Sequence, residues 1–232
     1  MRSPDDANPA RRRPRPGAAV RPPGDRRPFA GSRQIPLFTP VATFAVAGEV
    51  AEILAVTPDG RTVLHTDSAA GEVGLVDLSR PAQPRQLGTV PVDGEPTSVT
   101  VTRDGRYALV VVDTTDGASA TPSGHLSVVE LRTRTVVATR DLGGQPDSIA
   151  LSPDGRYAAI AIENQRDEEL VVDGVEGGLP QAPAGFLSVV ELQGRPGHWP
   201  VGRVGLTGLP GALYPGTPSR SSSTSTGATW PR

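Results

Sequence analysis

The chain has 232 residues with 27 glycines and 25 prolines, but only two Trp, three Tyr and four Phe, so much of it is turn or tail around a modest core. It has no cysteine, which excludes disulfides, thiolate metal sites and a cysteine nucleophile. A formal net charge of -2 gives no reason to expect nucleic acid or an anionic membrane surface as a partner.

Residues 1–35 are Arg, Pro, Asp and Gly with almost no large apolar side chains, and are expected to be a disordered tail because they cannot offset their ordering entropy. Arg11, Arg12, Arg13 and Arg15 could tether a nucleic acid or acidic lipid, but a solvated tail is the plainer account. This start lacks the apolar core of a secretory signal, and no apolar run reaches the roughly 18 to 20 residues of a membrane span. As written, the chain is expected to stay in the cytosol.

Residues 36–213 change character to short β-rich runs between turn clusters. Three segments align: AEILAVTPDGRTVLHTD from Ala51, PTSVTVTRDGRYALVVVD from Pro96 and PDSIALSPDGRYAAIAIE from Pro146. Each predicts a hairpin. Asp59-Gly60, Asp104-Gly105 and Asp154-Gly155 supply its turn, since Gly takes positive φ without a Cβ clash, and Pro58 and Pro153 pre-set the corner before. A third strand follows in GEVGLVDL from Gly71, GHLSVVEL from Gly124 and GFLSVVEL from Gly185. A fourth is predicted at Arg85 to Val90 and at Thr135 to Thr139, leading through GEP or GQP into the next hairpin.

Four strands per repeat, at turn spacings of 45 and 50 residues, match the period of about 40 to 50 of propeller blades. The expected fold is therefore all-β, a partial β-propeller of about three four-stranded blades, with disordered N- and C-terminal tails. A sandwich is the rival, but rarely repeats its sequence so closely. Propellers close with about four to eight blades, so three imply either self-association through open edge strands or a fragment of a longer protein.

Residues 214–232 favour the fragment. GTPSRSSSTSTGATWPR has the composition of a flexible linker, yet in a frame displaced by one base the codon classes of Ser222 to Trp230 give an alternating apolar and polar pattern. One GC-rich codon choice yields PEPEFVDINGRNV, which is similar to the opening of a fourth hairpin. A frameshift just after Pro215 is expected, with the genuine protein continuing beyond it.

The strings EPTSV at 95 to 99, PSGHLSVVEL at 122 to 131, GGQPDSIALSPDGRYAAIAIENQRDEEL at 143 to 170 and LPQAPAGFLSVVEL at 179 to 192 resemble the N-terminal propeller region of bacterial proteins described as esterase-like activity of phytase, within the wider YVTN and WD40-like group. The PDGR turn is common to many propellers; IENQRDEEL with LPQAPAGFL is the specific part. This resemblance implies a secreted or cell-envelope protein whose phytase-like region lies further downstream, so hydrolysis is not assigned to these residues.

No catalytic constellation is expected. His65, His125 and His198 have no partner at metal-ligand spacing, and Ser123 in TPSGH is not a nucleophile elbow. The candidate site is the loop insertion from Gln165 to Ala184 with its approaches. Glu163, Asp167, Glu168 and Asp173, with Asn164, Glu169 and Glu176, offer oxygen ligands of the kind calcium takes. A solvated acidic loop is the alternative. Asp113 and Asp116 in the preceding blade would strengthen the metal reading if they reached the same rim. The leading function is a non-catalytic scaffold presenting a loop face to a protein, peptide or small ligand. A calcium-assisted phosphoesterase or esterase with its active site outside this chain, and a non-functional truncated product, are the rivals.

Overall fold

The structure, a computed structural model, describes residues 39–46, 50–117, 120–178 and 181–206. The chain divides between Thr39 and Pro40 into two units, and the fold described below belongs to the second. The expected tails, residues 1–35 and 214–232, and the expected frame break at Pro215 lie outside the described residues.

Among the described residues, fourteen strands build three four-stranded antiparallel sheets and one small hairpin. The first sheet is β1 (Leu54–Val56), β2 (Thr62–Asp67), β3 (Glu72–Asp77) and β4 (Arg85–Pro91). The second is β5 (Glu95–Val101), β6 (Tyr107–Asp113), β7 (Gly124–Glu130) and β8 (Thr135–Asp141). The third is β9 (Pro146–Leu151), β10 (Tyr157–Ile162), β13 (Phe186–Glu191) and β14 (Val201–Gly205), with β11 (Val171–Val172) and β12 (Val175–Glu176) inserted before β13. Each sheet is one blade, with its strands side by side in chain order. The first strands of successive blades pack on one another, β1 against β5 and β5 against β9, as the inner strands of a propeller do. This is a partial β-propeller of three blades.

Each blade opens with the same turn. The amide of Gly60 donates to the Thr57 carbonyl, and Gly60 then takes φ 71°. The Asp59 carboxylate accepts from the Thr57 hydroxyl at 2.7 Å and from the Arg61 amide at 3.0 Å, while Thr57 Oγ1 accepts from the Thr62 amide at 3.0 Å. Thr102, Asp104, Arg106 and Tyr107 repeat these bonds, as do Ser152, Asp154, Arg156 and Tyr157. The hydroxyl two residues before each Asp is thus as much a part of the turn as the Asp-Gly pair, and Arg103 in the middle blade shows that the proline is dispensable.

The core lies between blades. Strand β6 is an unbroken apolar run because both its faces are covered. Ala108, Val110 and Val112 meet Leu64, Val73 and Leu75 of the first blade; Leu109 and Val111 meet Ala158, Ile160 and Ile162 of the third. Polar side chains fix the junctions. His125 Nε2 lies 3.1 Å from the Val92 carbonyl and 3.1 Å from Ser127 Oγ, and the Ser188 hydroxyl donates to the Leu142 carbonyl at 3.1 Å. Thr97 Oγ1 donates to the Pro146 carbonyl at 2.7 Å. Beside the second junction, Trp199 follows a 3-10 turn at Pro196–His198 and stands edge-on to Tyr107, ring centroids 6.0 Å apart.

Two outcomes follow from this packing. Leu109→Ala is expected to cost about 2–5 kcal/mol in urea unfolding, while Val137→Ala, on an exposed outer strand, stays within about 0.5 kcal/mol. Hydroxyl and amide donors hold Asp59, Asp104 and Asp154 below the ordinary value of 3.8. The folded chain then binds their protons more weakly than the unfolded chain, so their stabilisation is complete above about pH 4 and fades as the pH falls further. A triple Asp→Asn variant is expected to lose less of its thermal stability between pH 5 and pH 2 than the wild type, measured as Tm.

Candidate functional site

The blades differ most in length at one rim, since the third-to-fourth strand connections on the other, residues 78–84, 131–134 and 192–200, vary less. The turn rim carries the three near-identical Asp-Gly turns. The opposite, loop rim carries the connections from second to third strand: residues 68–71 in the first blade, 114–123 in the second and 163–185 in the third. Binding residues concentrate on loops that a rigid scaffold positions, and the loop rim fits that description.

Each second strand runs into an acid at this rim, and the three acids have different surroundings. Asp67 is buried and accepts from the amides of Ala70 at 3.0 Å and Val50 at 3.3 Å. Asp113 accepts from the Thr115 amide at 2.7 Å through one oxygen and from Gln145 Nε2 at 2.9 Å through the other. Glu163 donates its amide to the Gln145 carbonyl at 3.0 Å, so Gln145 ties the second strands of two blades together. The Glu163 carboxyl is pushed above the usual range, first by desolvation and then by the charges of Asp147 and Asp113. Gln145 Oε1 is buried there with no hydrogen-bond partner.

The third-blade insertion is a tied lobe. Asn164 Nδ2 donates to the carbonyls of Gln181 at 2.8 Å and of Pro183. Gln181 accepts from the Asp167 amide at 2.8 Å and donates to the carbonyls of Asp167 at 2.9 Å and Gly178 at 3.1 Å. Beyond this neck, β11 and β12 form a hairpin whose two turn residues both have positive φ, Asp173 at 50° and Gly174 at 78°, the arrangement an Asp-Gly pair favours in a tight two-residue turn.

Of the four acids singled out in the sequence, Glu163 stands at the interblade junction, Asp167 at the neck, with its carboxylate accepting from the Glu169 amide at 3.0 Å, and Asp173 in the hairpin turn; Glu168 is exposed on the lobe. Asp113 does share the Glu163 rim, and Asp147 joins them. Among the described residues no three His, Asp or Glu side chains converge closely enough to hold a metal ion. Gln145 and Gln181 organise both regions, yet a glutamine in a loop carries no spacing signal of its own. The only pointers to them were the strings GGQPDS and LPQAPAG, without the roles.

Ser123 bonds within its own loop, its hydroxyl lying 2.8 Å from Thr114 Oγ1 and donating to the Thr114 carbonyl at 3.0 Å. The Ser127 hydroxyl that faces His125 is buried between blades, out of reach of a substrate. His198 lies exposed on the 3-10 turn.

Residues 52–209, most of the three blades, match the family described as the Choice-of-anchor I domain. The chain belongs to that family. No curated protein matches it. Among solved structures, a putative 6-phosphogluconolactonase from Bacteroides fragilis is similar at 16% identity and a TM-score of 0.50, over 69% of this chain and 41% of that one. A second putative 6-phosphogluconolactonase, from Bacteroides uniformis, matches at 17% identity and a TM-score of 0.44, over 67% and 40%. Hydrazine synthase of Kuenenia stuttgartiensis matches at 17% identity and a TM-score of 0.37, over 67% and 54%. The Bacteroides fragilis likeness shows the fold alone, and the chain spans about half the length of these solved structures or less. Among the described residues of this choice-of-anchor I domain, no helix is long and apolar enough to cross a membrane.

Removing the Glu163 charge tests the geometry of the rim. A raised carboxyl value means that ionisation costs the folded chain, so Glu163→Gln is expected to raise Tm at pH 7 and leave it unchanged at pH 3.5, where both states carry the proton. A lowered Tm at pH 7 would show that the charge is stabilised by a partner instead.

Proposed function

We propose that this choice-of-anchor I domain is a non-catalytic binding module of a secreted or cell-envelope protein, and that it holds a protein or peptide partner on its loop rim. The observation that carries the reading is the asymmetry of the rims. One side has three copies of one short turn beside connections of 7, 4 and 9 residues, while on the other the connections grow from 4 to 10 to 23 residues, the longest a tied lobe. A scaffold conserves its framework turns and diversifies the loops that touch a ligand.

The exposed lobe supports this use. Leu170, Val171 and Val175 are large apolar side chains held in solvent by the Asn164 and Gln181 neck, and they are flanked by Glu168, Glu169 and Glu176. Apolar anchors inside a polar border are the composition of protein interfaces. The family description, with its reference to anchoring, agrees with a place at the cell surface. The narrower resemblance to the phytase-like proteins rests on the two strings that build this neck. On that reading, any phosphoesterase or esterase chemistry belongs to sequence other than these residues.

Peptides selected by phage display on the full chain are expected to bind the wild type and an Asp59→Asn variant alike. They should lose at least tenfold in affinity when residues 168–177 are replaced by a Gly-Ser turn. Undiminished binding to the lobe-less chain sinks the reading, as does turnover of 4-nitrophenyl phosphate or acetate by the purified chain with or without calcium.

A further inference from the structure

The turn rim repeats one framework, but its two internal junctions differ in chemistry. At each junction the second residue of a turn lies on the turn glycine of the next blade. Pro58 does so at the first, where its Cδ is 3.4 Å from the position a Cβ on Gly105 would take. At the second, Arg103 stands in the place of the proline, and its Cδ and Cγ lie 2.6 and 3.0 Å from the corresponding point on Gly155. The aliphatic stem of Arg103 therefore packs as the proline ring does, while the side chain as a whole remains exposed.

Each junction also holds a cleft, and the two clefts are built on equivalent positions. The first, about 530 Å³, is lined by Thr57, Pro58, Asp59 and Thr62 of one blade and by Gly105 and Leu131 of the next. The second, about 280 Å³, has Thr102, Arg103, Asp104 and Tyr107 in the places of those four, with Gly155 and Leu192 opposite. A proline has become an arginine and a threonine a tyrosine. In addition, the connection 192–200 turns through Pro196–His198 and brings Trp199 into the wall. The guanidinium groups that border the first cleft are already engaged, Arg132 with Glu130 at 3.9 Å and Arg134 with the Leu87 carbonyl.

The groups that distinguish the second cleft complement one another. Tyr107 and Trp199 stand edge to face and, with Leu192, form an apolar wall. Trp199 is 2% exposed, and its Nε1 is buried without a hydrogen-bond partner, which leaves a donor unanswered in that wall. Arg106 lies over the Tyr107 ring at 4.8 Å and reaches Glu130 at 3.4 Å. Arg103 makes no hydrogen bond or ion pair among the described residues. Asp104 is held within its turn, one carboxylate oxygen accepting from the Thr102 hydroxyl and the Arg106 amide. Arg103 and Arg106 against Asp104 leave the lining of the cleft with one net positive charge.

We infer that this cleft binds a small organic carboxylate, with the carboxyl group on Arg103 and the apolar body against Tyr107 and Trp199. One positive charge matches a monoanion better than the dianion of a phosphate. A guanidinium can meet a carboxylate through two parallel N–H bonds, and an aromatic wall takes the apolar remainder. The space is smaller than the roughly 300–1,000 Å³ of pockets for drug-sized ligands, so the ligand is about the size of one ring with its carboxyl group. This site is on the turn rim, away from the lobe, and does not depend on the peptide site proposed above.

The test follows the Trp199 indole N–H in proton–nitrogen correlation spectra of the full chain. Trp230→Phe is made throughout, so that a single indole signal remains. Benzoate is expected to shift this signal saturably, while benzyl alcohol and inorganic phosphate at the same concentration leave it in place. Arg103→Pro is expected to weaken benzoate binding about tenfold or more without lowering Tm, because both sister turns carry proline there with the same hydrogen bonds. Arg103→Met, which keeps a stem over Gly155 but no guanidinium, is expected to weaken it equally. The absence of a saturable shift with benzoate overturns the proposal, as does undiminished affinity in both Arg103 variants. An equal response to benzyl alcohol would reveal a merely apolar cleft and an equal response to phosphate a general anion site, and either outcome overturns it too.

Discussion

A blade of this protein is a sheet that must be covered on both faces, and most of the structure answers to that requirement. Strand β6 meets it in full, with Ala108, Val110 and Val112 turned to one neighbour and Leu109 and Val111 to the other, all fully buried. At about 25 cal/mol per Å² of apolar surface removed from water, such a strand contributes more than any of the polar contacts around it. The His125, Ser188 and Thr97 hydrogen bonds then set register and spacing between layers that hydrophobic burial holds together. Their acceptors are backbone carbonyls of the neighbouring blade, so each bond satisfies a main-chain group as well as fixing a position.

The first-to-second strand turns and the loop rim answer to different geometric demands. The first-to-second strand turns must reverse the chain within a few residues, and the hydroxyl, carboxylate and left-handed glycine do so the same way three times. The loop rim has no such geometric demand. Once the second strand has ended in its acid, the chain is free to return at once, as it does after Asp67, or to make the excursion that begins at Glu163. What prevents the excursion from collapsing into an unstructured loop is the small polar neck of Asn164, Asp167 and Gln181, which satisfies its own backbone groups without help from the core.

The acids of the loop rim illustrate how environment separates identical chemistry. Asp113 accepts an amide and the Gln145 side chain, while Glu163 loses hydration and sits beside two like charges, which drive its carboxyl upward. The junction between the second and third blades is therefore the electrostatically loaded part of the rim. The lobe beyond it presents exposed apolar side chains bordered by the acids Glu168, Glu169 and Glu176.

The repeat itself was legible in the sequence: three Asp-Gly turns at regular spacing, the third strands in GEVGLVDL, GHLSVVEL and GFLSVVEL, the fourth strands at Arg85 and Thr135, and the insertion after Glu163. These follow from local rules, because period-two alternation and a positive-φ glycine are properties of a few neighbouring residues. The fourth strand of the third blade, β14, had no such pattern, with glycines at positions 202 and 205 and no alternation to mark it. The β11–β12 hairpin was announced only by Asp173-Gly174, residues that drew attention first as an acid. Only the tertiary structure decided that Gln145 bridges to Asp113 and that Gln181 ties the lobe. Those outcomes depend on which segments stand side by side, and contacts between residues 14 to 32 positions apart leave no local mark in a single sequence.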